Sequence, residues 1–273
     1  LQYISPCIDT GNPDLDGDGE DYTTDIDDQD PDSTRMDIGA FYFDQIEFPI
    51  TYGCMDPAAT NYASPAIIDD GSCYNDGPVF HISSDGNDFF GIGTELNPYL
   101  TIQKGIAVSN DSDTVLVQPG TYNGTVNFGG KNIVVQSLLG ADTTIIDVNQ
   151  DGQAVNIDSG EDSTAVLNGF TITGGLIDHG GGIRINQSSP YLTNLIITGN
   201  HASDGGGIWI GGDNSRPIIT NSLIVNNTAS GFGSAIWVGG GNMSLINCTI
   251  TNNADTDGND AAVYCYQYTG TIK

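Results

Sequence analysis

Gly180-Gly-Gly-Ile-Arg-Ile185 is the first of four related segments that decide the fold of this 273-residue chain. The other three follow in order as Gly205-Gly-Gly-Ile-Trp-Ile210, Gly233-Ser-Ala-Ile-Trp-Val238 and Asp260-Ala-Ala-Val-Tyr-Cys265. Their central aliphatic residues, Ile183, Ile208, Ile236 and Val263, are 25, 28 and 27 residues apart. Self-similarity at such a period is the sequence signature of a repeat architecture, so the second half of the chain is predicted to consist of units of roughly 26 residues.

A second motif keeps the same period. Ile172-Thr-Gly-Gly returns as Ile197-Thr-Gly-Asn, Ile224-Val-Asn-Asn and Ile250-Thr-Asn-Asn, at steps of 25, 27 and 26 residues. A unit with two short β-branched strands buries its apolar face only by stacking on its neighbours. The register also places Asn200, Asn227 and Asn253 at one corner of successive rungs, where the amides satisfy turn backbone groups. The prediction is an all-β, right-handed parallel β-helix rather than an antiparallel sandwich, which needs no such register.

The start of the repeat region carries a predicted cap. Residues 97–107 have apolar residues at helical spacing, and residues 113–122 follow as a buried strand and turn. A short helix over the first rung would cover an exposed sheet end. The motifs here are Asp85-Gly-Asn-Asp, Gly93-Thr, Asn97-Pro, Thr101-Ile-Gln and Pro119-Gly-Thr-Tyr122. They resemble the start of secreted bacterial β-helix proteins of the pectate-lyase-like superfamily, and the Gly-Gly-Gly-Ile and Ile-x-x-Asn pairs look like repeats of surface adhesins.

Composition divides the chain into an acidic segment, 1–49, a small cysteine-bracketed module, 50–77, and the β-helix, 78–273. Ser5-Pro-Cys-Ile-Asp-Thr-Gly11 with Asp37-Ile-Gly-Ala-Phe-Tyr-Phe43 resembles the segment that closes such a β-helix at its C-terminal end. Tyr52-Gly-Cys-Met-Asp-Pro-Ala-Ala-Thr-Asn-Tyr62, with Asp69-Asp-Gly-Ser-Cys73, is similar to a repeat in secreted proteins of Bacteroidota. These resemblances imply a segment or subunit of a tandem array, with copies of itself or neighbouring β-helix domains as end-to-end partners.

The acidic segment contains a predicted calcium loop. Carboxylates at positions 1, 3, 5 and 12 of the loop and a glycine, Gly19, at position 6 follow EF-hand spacing. Its predicted ligands are Asp14, Asp16, Asp18, the backbone carbonyl of Glu20, and Asp25. Asp25 replaces the usual Glu, as in the dockerin-like and thrombospondin-type loops that this stretch resembles. Such an oxygen-only set suits Ca²⁺; a solvated acidic linker is the alternative interpretation.

Charge and cysteine content limit the compartment and the partners. With 35 acidic and 6 basic residues the formal net charge is -29, which argues against nucleic acid as a partner because phosphates would be repelled. No apolar stretch is long enough to span a membrane. The five cysteines lack zinc-ligand spacing and favour a secreted, cell-surface protein, in which Cys54 and Cys73 form a disulfide. The fates of Cys7, Cys248 and Cys265 stay open.

Four residues at one repeat position form what we call the outer strip: Arg184, Trp209, Trp237 and Tyr264. Strand alternation predicts that all four face outward. At the rung spacing, stacked rings and an overlying guanidinium are geometrically sensible. The strip is interpreted as a platform for glycans or as a protein interface, and the alternative is a ladder that only stiffens the sheet.

Candidate acid–base residues lie in the loops before successive Gly-Gly-Gly turns. They are Asp178, His179, His201 and Asp204, together with Arg184, and such groups can transfer protons when they cluster. β-helix lyases generally pair calcium-bound carboxylates with an Arg or Lys base. Our main hypothesis from the sequence is a non-catalytic extracellular module for adhesion or filament formation. The alternatives are a polysaccharide lyase or glycoside hydrolase acting along the β-helix face, and a carbohydrate-binding module.

Overall fold

The computed structural model describes residues 52–53, 68–69, 78–256, 258, 261–266 and 271–272. The chain divides into two compact units, Leu1–Cys73 and Tyr74–Lys273. In the first unit, the described residues form one parallel strand pair, β1 (Tyr52–Gly53) with β2 (Ile68–Asp69). The predicted calcium loop and the predicted disulfide between Cys54 and Cys73 lie outside the described residues.

The second unit is nearly all strand. Its elements, in chain order, are β3 (Val79–Ile82), α1 (Ile102–Val108), β4 (Thr114–Val117), β5 (Gly120–Asn123), β6 (Val126–Asn127), β7 (Val134–Ser137), β8 (Thr144–Asp147), β9 (Val155–Ile157), β10 (Val166–Asn168), β11 (Thr171–Thr173), β12 (Leu176–His179), β13 (Ile183–Asn186), β14 (Tyr191–Thr193), β15 (Ile196–Thr198), β16 (His201–Asp204), β17 (Ile208–Gly211), β18 (Ile218–Thr220), β19 (Leu223–Val225), β20 (Thr228–Ala229), β21 (Ile236–Gly239), β22 (Ser244–Ile246), β23 (Thr249–Thr251), β24 (Ala254–Asp255), β25 (Val263–Tyr266) and β26 (Thr271–Ile272).

These strands form four parallel sheets, each receiving at most one strand from every rung. The first sheet is β3-β4-β7-β10-β14-β18-β22-β26 and the second is β5-β8-β11-β15-β19-β23. The third is β12-β16-β20-β24 and the fourth is β6-β9-β13-β17-β21-β25. Neighbours within a sheet are separated by about one repeat in sequence, so the chain winds as a solenoid. The predicted parallel β-helix is confirmed.

The repeat motif sets the register of the fourth sheet. Ile183 pairs with Ile208, Ile208 with Ile236, and Ile236 with Val263. Because side chains alternate across a strand, these positions point inward, and Ile183, Ile208 and Ile236 are fully buried. The interior is a continuous aliphatic column, in which Phe128 and Phe170 are the largest fully buried side chains.

Glycines of the repeat motif are required where rungs approach each other at one corner. Gly205 has a φ of +66°, a left-handed conformation that favours glycine. A Cβ on Gly206 would lie 2.2 Å from the carbonyl oxygen of Thr228 in the next rung. Glycine therefore occurs in this segment because the backbones of adjacent rungs approach each other closely at this corner.

The predicted asparagine ladder at one corner of successive rungs is confirmed, and the structure shows that Asn200 and Asn227 are buried while Asn253 is partly buried; we call it the interior ladder. Asn200 donates from Nδ2 to Oδ1 of Asn227 at 3.0 Å, and Asn227 donates to Oδ1 of Asn253 at 3.0 Å. The left-handed residues at these turns lie one position earlier, for example Asn226 with a φ of +57°. The ladder residues instead bond the turn backbone, as where Asn227 donates to the carbonyl of Ile197 at 2.9 Å.

The predicted capping helix is also present, as α1. It begins after Thr101, whose Oγ1 accepts from the backbone N–H of Lys104, and it buries Ile102 and Ile106 over the first rung. At its C-terminal end the Lys131 ammonium donates to the carbonyls of residues 106, 107 and 109 at 2.6, 3.0 and 2.6 Å, a favourable place for a cation. Within the described residues, no helix is both long and apolar enough to cross a membrane.

Candidate functional site

The outer strip lies in one column on the outer face of the fourth sheet. Arg184 pairs in register with Trp209, Trp209 with Trp237, and Trp237 with Tyr264. Each is partly exposed, whereas its neighbours Ile208, Ile210, Ile236 and Val238 are fully buried. The predicted outward orientation of the strip is therefore confirmed.

The central part of the strip is a stack. The Trp209 and Trp237 rings have centroids 5.1 Å apart and planes inclined by only 3°. The Arg184 guanidinium carbon lies 5.5 Å from the centroid of the Trp209 ring, within the range of a cation–π contact. The His179 ring also stacks on Trp209, with centroids 5.6 Å apart and planes inclined by 27°.

Two glycines hold the indoles against the sheet. A Cβ on Gly211 would lie 2.0 Å from the Trp209 ring, and a Cβ on Gly239 would lie 1.9 Å from the Trp237 ring. Each indole therefore rests on the glycine two residues farther along its own strand. The sequence carries this signal as Trp209-Ile-Gly and Trp237-Val-Gly, a pattern from which the position of the indoles could be predicted.

The far end of the strip is arranged differently. Tyr264 stacks on Phe232, with centroids 4.5 Å apart and planes inclined by 30°. Within the described residues, no ring stacks on the face of Trp237 that points away from Trp209. Trp209 itself is covered on one side by Trp237 and contacted by Arg184 and His179. Trp209 and Trp237 are only partly exposed, so the strip does not present a row of open ring faces.

Beside the stack lies what we call the acid–base pair, His179 and Asp204. They occupy paired positions of the third sheet, and Nδ1 of His179 lies 3.7 Å from Oδ2 of Asp204. The His179 side chain is 51% exposed and that of Asp204 is 25% exposed. The other carboxylate oxygen, Oδ1, accepts the backbone N–H of Phe232 at 2.9 Å. Asp204 is thereby held in place, and Nε2 of His179 makes no hydrogen bond to the residues that the structure describes.

Arg184 forms an ion pair with a different carboxylate. Its guanidinium donates to Oδ2 of Asp158 at 2.6 Å, and both side chains are partly buried. Charge-assisted bonds of this kind are short and comparatively strong. Arg184 therefore remains a paired cation above Trp209, which suits it to positioning a ligand better than to acting as a base.

Two of the predicted acid–base residues stay outside this cluster. His201 donates to or accepts from the Thr228 hydroxyl through Nδ1 at 2.8 Å. The Asp178 carboxylate makes no hydrogen bond or ion pair within the described part of the chain. The structure thus brings together His179, Asp204 and Arg184, and it leaves Asp178 and His201 aside.

Metal ligands do not converge in the described ranges. Among those residues there is no group of three or more His, Cys, Asp or Glu side chains that could hold an ion. Asp147-Val-Asn149-Gln-Asp151-Gly152 repeats the spacing of half an EF-hand loop, but Oδ1 of Asp147 accepts the backbone N–H of Asn149 in a local turn. Among the described residues Cys248 and Cys265 form no disulfide, and partial burial raises the pKa of the Cys265 thiol.

Comparison with known proteins agrees with this fold. No protein-family model and no curated protein matches the sequence. A solved structure of the pectate lyase Pel9A is similar at 18% identity and a TM-score of 0.52, and the match covers 67% of this chain and 50% of that one. The chain has a pectate-lyase-like parallel β-helix fold. It spans half the length of that lyase, and at this identity the likeness shows the fold alone.

A second similar structure is the pectin methylesterase from Aspergillus niger, in a penultimately deglycosylated form. It is 12% identical with a TM-score of 0.31, and the match covers 72% of this chain and 86% of that one. Both similar proteins are enzymes named for pectic substrates.

Proposed function

We propose that this β-helix acts on an extended extracellular polysaccharide held along the outer face of its fourth sheet. The observation that carries the proposal is the exposed acid–base pair beside a cation and stacked indoles. His179, Asp204, Arg184 and Trp209 come from four different strands, and they meet on one face. A β-helix face is long and straight, which suits a polymeric ligand better than a small one.

His179 has the principal chemical role in this proposal. The separation of 3.7 Å between Nδ1 and Asp204 is beyond hydrogen-bond distance in the free protein. In the proposed substrate complex this contact shortens and orients the imidazole, so that Nε2 takes a proton from the sugar or returns one to a leaving oxygen. Arg184, fixed by Asp158, contributes positive charge beside the reacting unit. The partly exposed Trp237 indole contacts a neighbouring sugar ring, because the apolar face of a sugar packs well on an indole.

Similarity to a pectate lyase supports a uronic-acid polysaccharide as the first substrate to test. The net charge of -29 would repel such a polyanion, so divalent cations are needed to bridge carboxylates of protein and substrate. This polysaccharide-acting role takes precedence over the adhesive and filament-forming role. Secretion and the Cys54–Cys73 disulfide remain parts of the proposal, consistent with an extracellular substrate.

A turnover assay tests the role of the acid–base pair. Polygalacturonate with calcium is offered to the full chain, and absorbance of unsaturated products and new reducing ends are both measured. Unsaturated products identify a lyase, and reducing ends alone identify a hydrolase. His179→Gln is expected to lower kcat by at least about 100-fold, the usual range for loss of a general acid or base.

His201→Gln is the matched control, because His201 bonds Thr228 outside the cluster; it is expected to leave kcat within about twofold of the original value, as surface changes usually do. Equal rates for both variants would contradict the assignment of His179. Retention on immobilised polysaccharide without turnover, reduced by Trp237→Ala, would instead support a carbohydrate-binding module.

Calcium binding by the acidic segment is a separate part of the proposal. The predicted ligands Asp14, Asp16, Asp18, Glu20 and Asp25 follow EF-hand spacing, and extracellular loops of this kind bind Ca²⁺ with dissociation constants of about 0.1–1 mM. Replacing Asp16 and Asp18 together by Asn is expected to weaken binding at least about tenfold, because two anionic ligands are lost.

Isothermal titration with Ca²⁺ measures that effect. The control replaces Asp151 and Asp213, two exposed carboxylates of the β-helix, by Asn, which removes the same total charge. Equal weakening in both double variants would show diffuse ion attraction by the acidic chain, and would contradict a defined loop.

A further inference from the structure

A second ladder of asparagines lies on the outside of the β-helix, where the first sheet turns into the second. Asn194, Asn221 and Asn247 occupy the same corner in successive rungs, with φ values of 53°, 51° and 54°. All three side chains are exposed. Gly169 occupies the equivalent corner one rung earlier, with a φ of 81°. A glycine can therefore adopt the left-handed conformation that this corner requires.

This outer ladder is broken, unlike the interior one. Asn194 donates to Oδ1 of Asn168 at 2.8 Å, and Asn247 donates to Oδ1 of Asn221 at 2.6 Å. Within the described residues, no hydrogen bond joins Asn194 to Asn221. The Oδ1 acceptor of Asn194 and both N–H donors of Asn221 are therefore available at adjacent rungs, about 4.8 Å apart.

An open groove of about 540 Å³ runs along this corner. Asn194, Asn221 and Asn247 line it, together with Ile196 and Leu223 of the second sheet, which are both partly exposed. Asp142 is the one charged residue among those that line it. The groove thus combines apolar contact with neutral hydrogen-bonding groups, and an acidic residue at its end disfavours anions.

We propose that this corner groove binds a neutral polysaccharide, independently of the site on the fourth sheet. A sugar hydroxyl carries one donor and two acceptor lone pairs, so it bridges the gap by donating to Asn194 and accepting from Asn221. The C–H faces of the sugar rings pack on Ile196 and Leu223. The groove follows the axis of the solenoid, and an extended glycan matches that direction with one unit near each rung.

Titration calorimetry of the full chain tests the groove. The probes are hexasaccharides of β-1,4-linked glucose, mannose and xylose, with hexagalacturonate as the anionic comparison. The variant is the double replacement Asn194→Gly with Asn221→Gly, which keeps the left-handed corners and removes the amides. At least one neutral hexasaccharide is expected to bind, and the variant is expected to bind it at least about tenfold more weakly, since two or more hydrogen bonds are lost.

The matched control is Asn226→Gly with Asn252→Gly. These residues are also exposed and left-handed, with φ values of 57° and 55°, and they lie at the next corner, outside the residues that line the groove. Their replacement is expected to change affinity by less than about twofold, because surface changes away from a contact have little effect. Failure of every neutral hexasaccharide to bind, weakening of hexagalacturonate binding by the groove variant, or equal weakening of neutral binding by both double variants would overturn the proposal.

The same variants separate this site from the acid–base pair. The groove variant is expected to leave turnover of polygalacturonate unchanged, and His179→Gln is expected to leave binding of the neutral hexasaccharide unchanged. Absence of turnover would then bear only on the fourth sheet, and absence of neutral-glycan binding only on the groove.

Discussion

Phe170→Ala is expected to lower the free energy of unfolding by about 3–5 kcal/mol, the range for deleting a buried phenylalanine side chain. Phe170 is one of the two largest fully buried side chains among the described residues. It lies at the inner side of the corner between β10 and β11, and its carbonyl accepts the backbone N–H of Ile196 in the next rung. In a solenoid each rung is stabilised mainly by its neighbours, so the cavity weakens contacts on both sides of one rung.

Urea unfolding followed by far-ultraviolet circular dichroism measures this effect. Phe90→Ala is the matched control, because the same atoms are removed from a side chain that is 80% exposed. Its expected effect is within about 0.5 kcal/mol, as for most surface replacements. Similar unfolding midpoints for the two variants would contradict the placement of Phe170 in the core.

The repeat explains why so much of the β-helix followed from the sequence. Once Ile183, Ile208, Ile236 and Val263 are aligned, the period-2 alternation of strands fixes which side chains face inward. The same alignment gives the stack of Arg184, Trp209 and Trp237 and the interior asparagine ladder. It also brings His179 and Asp204 together, because both immediately precede a repeat glycine.

Contacts that change from one rung to the next did not follow in the same way. Phe232 immediately precedes the repeat glycine Gly233, the position that His179 and Asp204 hold in earlier rungs, and its carbonyl accepts the backbone N–H of Gly205. Its ring stacks on Tyr264, so the stacking along the outer strip does not continue from Trp237 to Tyr264. The pair of Arg184 with Asp158 is also diagonal, since Arg184 is in register with Asn156.

The broken outer ladder shows another limit of sequence patterns. Asparagine is common at a left-handed corner because its backbone tolerates that conformation. The sequence therefore does not distinguish a ladder whose amides are all hydrogen-bonded to each other from one in which a hydrogen bond is missing. Asn227, in the interior ladder, is fully buried and is hydrogen-bonded to the asparagines of both neighbouring rungs. Asn194 and Asn221 are exposed, and no hydrogen bond joins them to each other within the described residues. The positions of the side-chain amides in the structure are therefore needed to distinguish a purely structural ladder from the binding surface that we propose.

Asn227→Asp is expected to destabilise the protein by at least about 3 kcal/mol at pH 7, because it places an unpaired charge in a buried site. The amide of Asn227 donates to the Ile197 carbonyl and to Oδ1 of Asn253, at 2.9 and 3.0 Å. A carboxylate in its place would face those oxygens with no donor. Burial and these acceptors raise the pKa of the introduced carboxyl in the folded state.

The sign of the pH dependence follows from that raised pKa. Between the ordinary aspartate pKa of about 3.9 and the higher folded value, the native variant binds more protons than the unfolded chain, so its stability falls as pH rises. The deficit relative to the original protein should therefore be greatest above the folded pKa and should shrink towards pH 4, where a protonated carboxyl again donates one hydrogen bond. Asn226→Asp is the control, since Asn226 is the adjacent residue and is exposed. Urea unfolding of all three proteins across this pH range measures the difference, and a deficit independent of pH, or shared by the control, would contradict the buried ladder.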